Sequence, residues 1–309
     1  MRFFFAADIH SSETCFRKFL SAVDIYEADV AVLLGDLRGK VIVPIVRNPD
    51  GTYASDFLGR KTVVKNDTEL AELEKKIGAV GYYPYRTTSE EVAKLQSNPE
   101  LMDPLFLKFL SERFQSWFRL AEERLAKSKA KLFIAAGNDD PLEIESTLNK
   151  STRFVNVGDK KFDVDGHEII CCTWSGPSPW KTPRECDDNE LAAKIESLTN
   201  QVKDFENSIF LMHDPPVDTT LDVCPKLSED MTPSATDEIH AGSKAVRDAI
   251  QKYQPLLSVH GHIHESKGII HIGRTVCINP GSEYAQGILR GTIVDIVKGK
   301  IKTKMLTSG

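Results

Sequence analysis

A chain of 309 residues, 27% charged and 41% apolar, can bury a full core and has the composition of an ordinary globular protein. Its net charge of −6 gives no electrostatic reason to expect long nucleic acid or an anionic membrane as partner, and no apolar run reaches bilayer-spanning length. The six cysteines show neither C-x-x-C spacing nor the density of a disulfide scaffold, which points to reduced thiols in a cytoplasmic protein.

The start, Met1-Arg2-Phe3-Phe4-Phe5-Ala6-Ala7, faintly resembles a signal peptide. Asp8 interrupts it too early for such a segment, so it reads as the first buried strand. Phe16, Phe19, Leu20, Val23 and Tyr26 then form the apolar stripe of a helix capped by Ser11 or Ser12. A second strand follows at 30–34. Residues 40–129 separate two main strands by more than a simple crossover needs, and read as an insertion. Its front, 41–46, Asn48-Pro49-Asp50-Gly51 and 62–65, has the pattern of a β-hairpin, and the rest is helical, including 67–77. Within it Gly81-Tyr82-Tyr83-Pro84-Tyr85-Arg86 reads as an aromatic loop, either packed on the surface or facing substrate as a lid. Leu110, Phe114, Trp117, Phe118, Ala121 and Leu125 mark another helix.

Further strands are predicted at 131–136, 169–173, 208–212 and 255–259. Between them lie helical stripes on Leu191, Ile195, Leu198, Val202 and Phe205, and on Ala245, Val246, Ala249, Ile250 and Tyr253. The first is entered through Asp187 and Asp188 and the second is capped near Ser243, while 217–237 reads as a long loop. Short runs at 269–272, 275–278, 292–297 and 300–306, with Gly299 at a tight turn, predict an antiparallel tail forming a second sheet or a sheet edge. Alternating strands and helices define an α/β class, one domain over 1–309 carrying the 40–129 insertion.

Five polar fragments follow strand-like runs: Asp8-Ile9-His10, Gly35-Asp36-Leu37-Arg38-Gly39, Gly137-Asn138-Asp139, Met212-His213-Asp214 and Gly261-His262-Ile263-His264. On extended backbone, residues two apart face the same way, so His262 and His264 can aim into one space. Ligands of open α/β sheets bind outside the carboxyl ends of strands, where these loops converge. Two aspartates, four histidines and one asparagine form a mixed nitrogen and oxygen set suited to Mn, Fe or Zn. Seven ligands exceed one tetrahedral ion but suit two neighbouring ions sharing a carboxylate, and the residual positive charge favours a phosphate group.

The order D-x-H, G-D-x-x-G, G-N-x, H, G-H-x-H resembles the calcineurin-like metallophosphoesterase superfamily, over nearly the whole chain from Asp8 to His264. The segment from Gly35 to Lys40 leading into Val41-Ile42-Val43-Pro44, together with His240-Ala241-Gly242-Ser243, looks like the Icc-related branch, and Asn279-Pro280-Gly281-Ser282 also fits. The resemblance implies a four-layer α-β-β-α sandwich. It implies two divalent ions, one held by Asp8, His10, Asp36 and His264, the other by Asp36, Asn138, His213 and His262. It further implies attack of a metal-bound hydroxide on a small phosphorylated substrate, such as a phosphodiester, a nucleotide or a phosphomonoester.

One position departs from the pattern. Many members have histidine after the asparagine, where this chain has Asp139. A carboxylate beside two cations should keep a low pKa and make a poor acid, so Asp139 either orients a neighbouring group or acts in catalysis directly. His240 is a candidate replacement acid, or only a loop contact. Arg38 is a candidate phosphate contact, or a surface ion pair. The loop from Trp174 to Lys181 could stack a nucleobase or pack at the edge of the core, and His260 reads as structural. The competing reading is a non-catalytic metal-binding scaffold of the same fold. Oligomeric state is left open by the sequence.

Overall fold

The fold is known from a computed structural model that describes residues 1–309. Two six-stranded sheets lie face to face. The first runs Lys300–Ser308, Arg290–Val297, Arg2–Ala7, Val30–Leu34, Lys131–Ala135, Phe154–Asn156. The second runs Gly268–Ile272, Thr275–Asn279, Leu257–Val259, Ile209–Met212, His167–Cys172, Lys161–Val164.

Alternation along each strand builds the layers, because successive side chains point to opposite faces. Phe3, Phe5, Val30, Val32 and Leu34 of the first sheet meet Ile169, Cys171, Ile209, Leu211, Leu257 and Val259 of the second in one buried cluster. The opposite face of the first sheet, with Phe4, Ala6, Ala31, Leu33 and Ile134, packs on the helices Glu13–Ile25 and Met102–Arg124 through Phe16, Phe19, Phe114 and Trp117. The outer face of the second sheet, with Ile170, Cys172, Phe210 and Met212, packs on Asp188–Thr199 and Lys244–Tyr253. The result is a four-layer α-β-β-α sandwich. Each large apolar side chain so removed from water contributes about 1.5–3 kcal/mol. The helix starts follow the expected caps: Ser12 accepts from Cys15 N–H, Asp187 from Glu190 N–H and Ser243 from Val246 N–H.

Three expectations change. The stretch Gly81–Arg86 is not a loop: Tyr83–Thr87 is a strand, paired in parallel with Ile42–Arg47. With Tyr53–Phe57 and Arg60–Val64 it makes a four-stranded sheet, covered by Asp67–Ala79 around Val43, Ile45, Leu70, Leu73 and Ile77. Pro84 concealed the strand, and the pairing tolerates it because Pro84 lies on an edge strand. The tail divides between the sheets: the Arg290–Val297 and Lys300–Ser308 hairpin joins the first sheet antiparallel to Arg2–Ala7, whereas Thr275–Asn279 pairs in parallel with Leu257–Val259. Finally, the 217–237 loop contains most of a hairpin, Val223–Leu227 with Pro233–His240, whose exposed polar sequence lacks an apolar alternation.

No helix is long and apolar enough to cross a membrane. All six cysteines are unpaired, and only Cys224 is not fully buried.

Candidate metal centre

The five polar fragments meet at the carboxyl ends of five strands, three from the first sheet and two from the second. Asp8 and His10 follow Arg2–Ala7, Asp36 follows Val30–Leu34, and Asn138 follows Lys131–Ala135; His213 follows Ile209–Met212, and His262 and His264 follow Leu257–Val259. Two donor groups share one residue: His10, Asp36 and His264 form one, and Asp36, His213 and His262 the other, each with ligand atoms within 4.8 Å of one another. Asn138 Oδ1 completes the second, 2.8 Å from both His213 Nε2 and His262 Nδ1. Asp8 lies alongside, its carboxylate accepting from His262 N–H at 3.1 Å and its Oδ1 standing 4.0 Å from His213 Nε2.

The backbone is shaped to converge these groups. Asp8, His10, Asp36 and His262 all have positive φ, at 54°, 39°, 46° and 66°. Non-glycine residues adopt this region rarely, and it turns each strand end sharply inward. Gly35, at φ 74°, leaves room for the His213 ring: a Cβ there would lie 2.1 Å from His213 Nδ1.

The donor chemistry fits divalent cations. His10 Nδ1 lies 3.0 Å from the Arg38 carbonyl, which can only accept, so Nδ1 carries the proton and Nε2 presents a lone pair. That lone pair faces His264 Nε2 at 3.2 Å and Asp36 Oδ2 at 3.6 Å. Burial pushes His262 down to about 3 and His264 to about 4, and holds His10 well below its ordinary value, so all three are neutral donors at pH 7. Burial also depresses His213, but the adjoining Asp36 carboxylate outweighs it and raises the imidazole to about 9. Burial pulls Asp36 upward, but His213 opposes it and keeps the carboxyl well below its ordinary range. Asp8 rises to about 7 through burial, partly offset by His213. A buried cluster with facing imidazole nitrogens and two close carboxylates is an arrangement that cations relieve.

Of the remaining candidates, Asp139 adjoins the cluster. Its N–H donates to Asp36 Oδ1 at 3.0 Å, and its Oδ2 lies 3.6 Å from both His10 Nδ1 and Lys40 Nζ. Burial and then the Asp36 charge push the Asp139 carboxyl upward, opposite to the low value expected when two cations are assumed beside it. Arg38 lies over the Phe106 ring at 4.4 Å, with its guanidinium 4.0 Å from Asp103. His240 makes no hydrogen bond to the cluster: its Nδ1 sits 2.9 Å from Asp222 Oδ1, and its side chain is half exposed. Trp174 packs at the edge of the outer core and donates to Asp159, while Trp180 is exposed. His260 is buried, with Nδ1 against the Met212 and Asp214 carbonyls.

Several contributors escaped the sequence reading. The buried Asp140 carboxylate accepts from the N–H groups of Leu37, Arg38 and Gly137, tying two site loops together. The Tyr83 hydroxyl accepts from Gly39 N–H at 2.9 Å and lies 2.7 Å from Ser11 Oγ, docking the four-stranded sheet beneath the same loops. The Tyr284 ring lies 4.5 Å from the His10 ring and 5.9 Å from that of His264. A cleft of ≈ 380 Å³ opens beside His264, bordered by Lys267, Ser282, Tyr284 and Arg290. In the sequence, a second acid after Asn138, an aromatic run and the Asn279-Pro280-Gly281-Ser282 stretch were the hints of these.

No family model matches the chain. An uncharacterized protein of Methanocaldococcus jannaschii is 32% identical over 146 residues, 47% of this chain and 61% of that protein, so the match spans less than two thirds of the relative. One crystal structure is similar at a TM-score of 0.57 with 17% identity, covering 99% of this chain and 98% of its own. Another, from Thermus thermophilus, is similar at a TM-score of 0.52 with 14% identity, covering 100% of this chain and 97% of its own. These likenesses concern the fold.

Proposed function

We propose that this chain is a binuclear metal-dependent phosphoester hydrolase of the calcineurin-like type, acting in the cytoplasm on small phosphodiesters, nucleotides or phosphomonoesters. The observation that carries the reading is Asp36 shared between two donor groups at the mouth of the sandwich. Asp8, His10, Asp36 and His264 would hold one ion, and Asp36, Asn138, His213 and His262 the other, with Mn, Fe or Zn suited to the set. Bound there, the ions would lower the pKa of an attacking water and stabilise charge developing on the phosphoryl oxygens.

The chain's own residues support an anionic substrate. His10, His262 and His264 are neutral at pH 7, so among the proposed ligands only Asp8 and Asp36 carry negative charge against the four positive charges of two divalent cations. Lys40 Nζ adds charge at the rim, 3.6 Å from Asp139. Asp139, 3.6 Å from both Lys40 Nζ and His10 Nδ1, serves to orient them. Tyr284 shields one side of the His10 and His264 rings from water, and the cleft beside His264 receives the ester group. Arg38 remains a substrate contact if a phosphate draws it from Phe106. Six unpaired cysteines suit a reducing compartment.

The test is turnover of aryl phosphodiesters, phosphomonoesters and pyrophosphates by Mn-loaded protein. Activity lost on chelation, in Asp36→Asn and in His213→Ala is the expected result. Full metal loading with no turnover across the panel would leave the scaffold reading, and fewer than one ion per chain would remove the metal centre itself.

A further inference from the structure

The loop after His167–Cys172 supplies no candidate ligand, yet it meets one candidate side chain of the centre: Asn138 Nδ2 donates to Thr182 Oγ1 at 2.7 Å. The geometry points to Thr182 and Glu185 as positioning residues that decide which end of the Asn138 amide faces the donor cluster. This rests on the reading of Asn138 as a ligand.

Hydrogen-bond direction along this chain of groups fixes the amide. Glu185 Oε1 accepts from Ser178 Oγ at 2.5 Å, Thr182 N–H at 3.0 Å and Thr182 Oγ1 at 2.6 Å, and Oε2 accepts from Ser178 N–H at 3.0 Å. A carboxylate has no proton to give, so the single hydroxyl proton of Thr182 goes to Glu185. What Thr182 presents to Asn138 is a lone pair, and only the NH2 end of the amide can answer it. The planar amide then turns Oδ1 toward His213 and His262, 2.8 Å from each. A flipped amide would present NH2, which has no lone pair for a cation. The oxygen and nitrogen ends of an amide are nearly alike in size, so packing alone does not choose between them. The same loop is held in place by Arg184, whose N–H donates to the Asn138 carbonyl at 3.1 Å and whose buried guanidinium donates to the Asp140 carbonyl at 3.0 Å.

The experiment titrates full-length, metal-free protein with Zn²⁺ by calorimetry. Wild type should take up two ions. Thr182→Val keeps the shape but offers no lone pair, and should weaken one of the two sites about 10–100-fold while the other is unchanged. Thr182→Ser, which keeps the hydroxyl, should restore it. A direct readout needs no variant: in the ¹⁵N-labelled, Zn-loaded wild type, the Asn138 side-chain NH2 should show cross-peaks to the Thr182 β-proton. Two ions bound with equal affinity by wild type and Thr182→Val would overturn the inference and leave the proposed function standing. NH2 cross-peaks to the His213 or His262 rings would overturn it too, even if Thr182→Val failed to fold. A wild type binding no Zn²⁺ would remove both.

Discussion

Gly35→Ala tests how tightly the backbone is fitted around the candidate ligands. The added methyl meets two costs. Gly35 sits at φ 74°, where an L side chain costs roughly 1–2 kcal/mol. The new Cβ would also stand 2.1 Å from His213 Nδ1 and 2.4 Å from Cε1. To reach the 3.4 Å of ordinary contact the ring must retreat by about 1.3 Å, and it is fully buried with Nε2 already 2.8 Å from Asn138. Overpacking of this kind costs about 1–3 kcal/mol. Together the two give roughly 2–5 kcal/mol, a fall in melting temperature of about 4–10 °C for a chain of this size. A ligand displaced by about 1 Å should also cost roughly 10²-fold in turnover. The control is Gly51→Ala, at φ 85° with nothing within 4 Å of its Cβ, which meets the first cost alone. Scanning calorimetry, Zn²⁺ titration and aryl phosphodiester turnover would be measured on both. If Gly35→Ala melted with Gly51→Ala and kept its metal affinity and rate, the steric argument would be wrong.

Two further outcomes follow from the site. His213 is raised to about 9 in the metal-free protein, so it carries a proton at pH 7 that a cation must displace. Zn²⁺ binding should therefore release protons and tighten as pH rises from 6 toward 9, seen in calorimetry as a binding enthalpy that varies with the buffer; a buffer-independent enthalpy at pH 7 refutes this. His240→Ala should leave the ratio of rates on activated and unactivated aryl esters unchanged, because the imidazole is engaged with Asp222 and half exposed. A selective loss on unactivated esters would restore it as the leaving-group acid.

Much of the frame was legible because it is local. The stripe Phe16, Phe19, Leu20 and Val23 has helical spacing and nothing else fits it, and all four are buried on Glu13–Ile25. The five polar fragments were readable because each ends an apolar run. The motif order implied a two-sheet sandwich, but which strand joins which sheet was not readable from periodicity: strands such as Val30–Leu34 and Ile209–Met212 are buried on both faces, so their sequences carry no period that says which neighbour they face. Phe154–Asn156 is three residues long and held by pairing with Lys131–Ala135, which leaves no signature of its own. In the site, residue types were legible and contacts were not. Nothing near Thr182 marks it as a neighbour of Asn138, 44 positions away.

The left-handed turns at Asp8, His10, Asp36 and His262 raise the question of what holds them. Backbone in such regions costs about 1–3 kcal/mol per residue and persists only where the surroundings over-determine it. Three of these turns have anchors outside the donor set. Asp140 takes the N–H groups of Leu37 and Arg38, immediately after Asp36. Ser282 Oγ donates to the Asp8 carbonyl at 2.6 Å, and Asn279 Nδ2 donates to the carbonyls of Gly261 and Ile263 on either side of His262. The His10 ring is held by the Arg38 carbonyl, on the loop that Asp140 fixes. These anchors belong to other strand ends and sit on residues outside the proposed ligand set. A cation arriving at such a site need not spend affinity on ordering loops, which is the condition for tight binding by a fixed donor set.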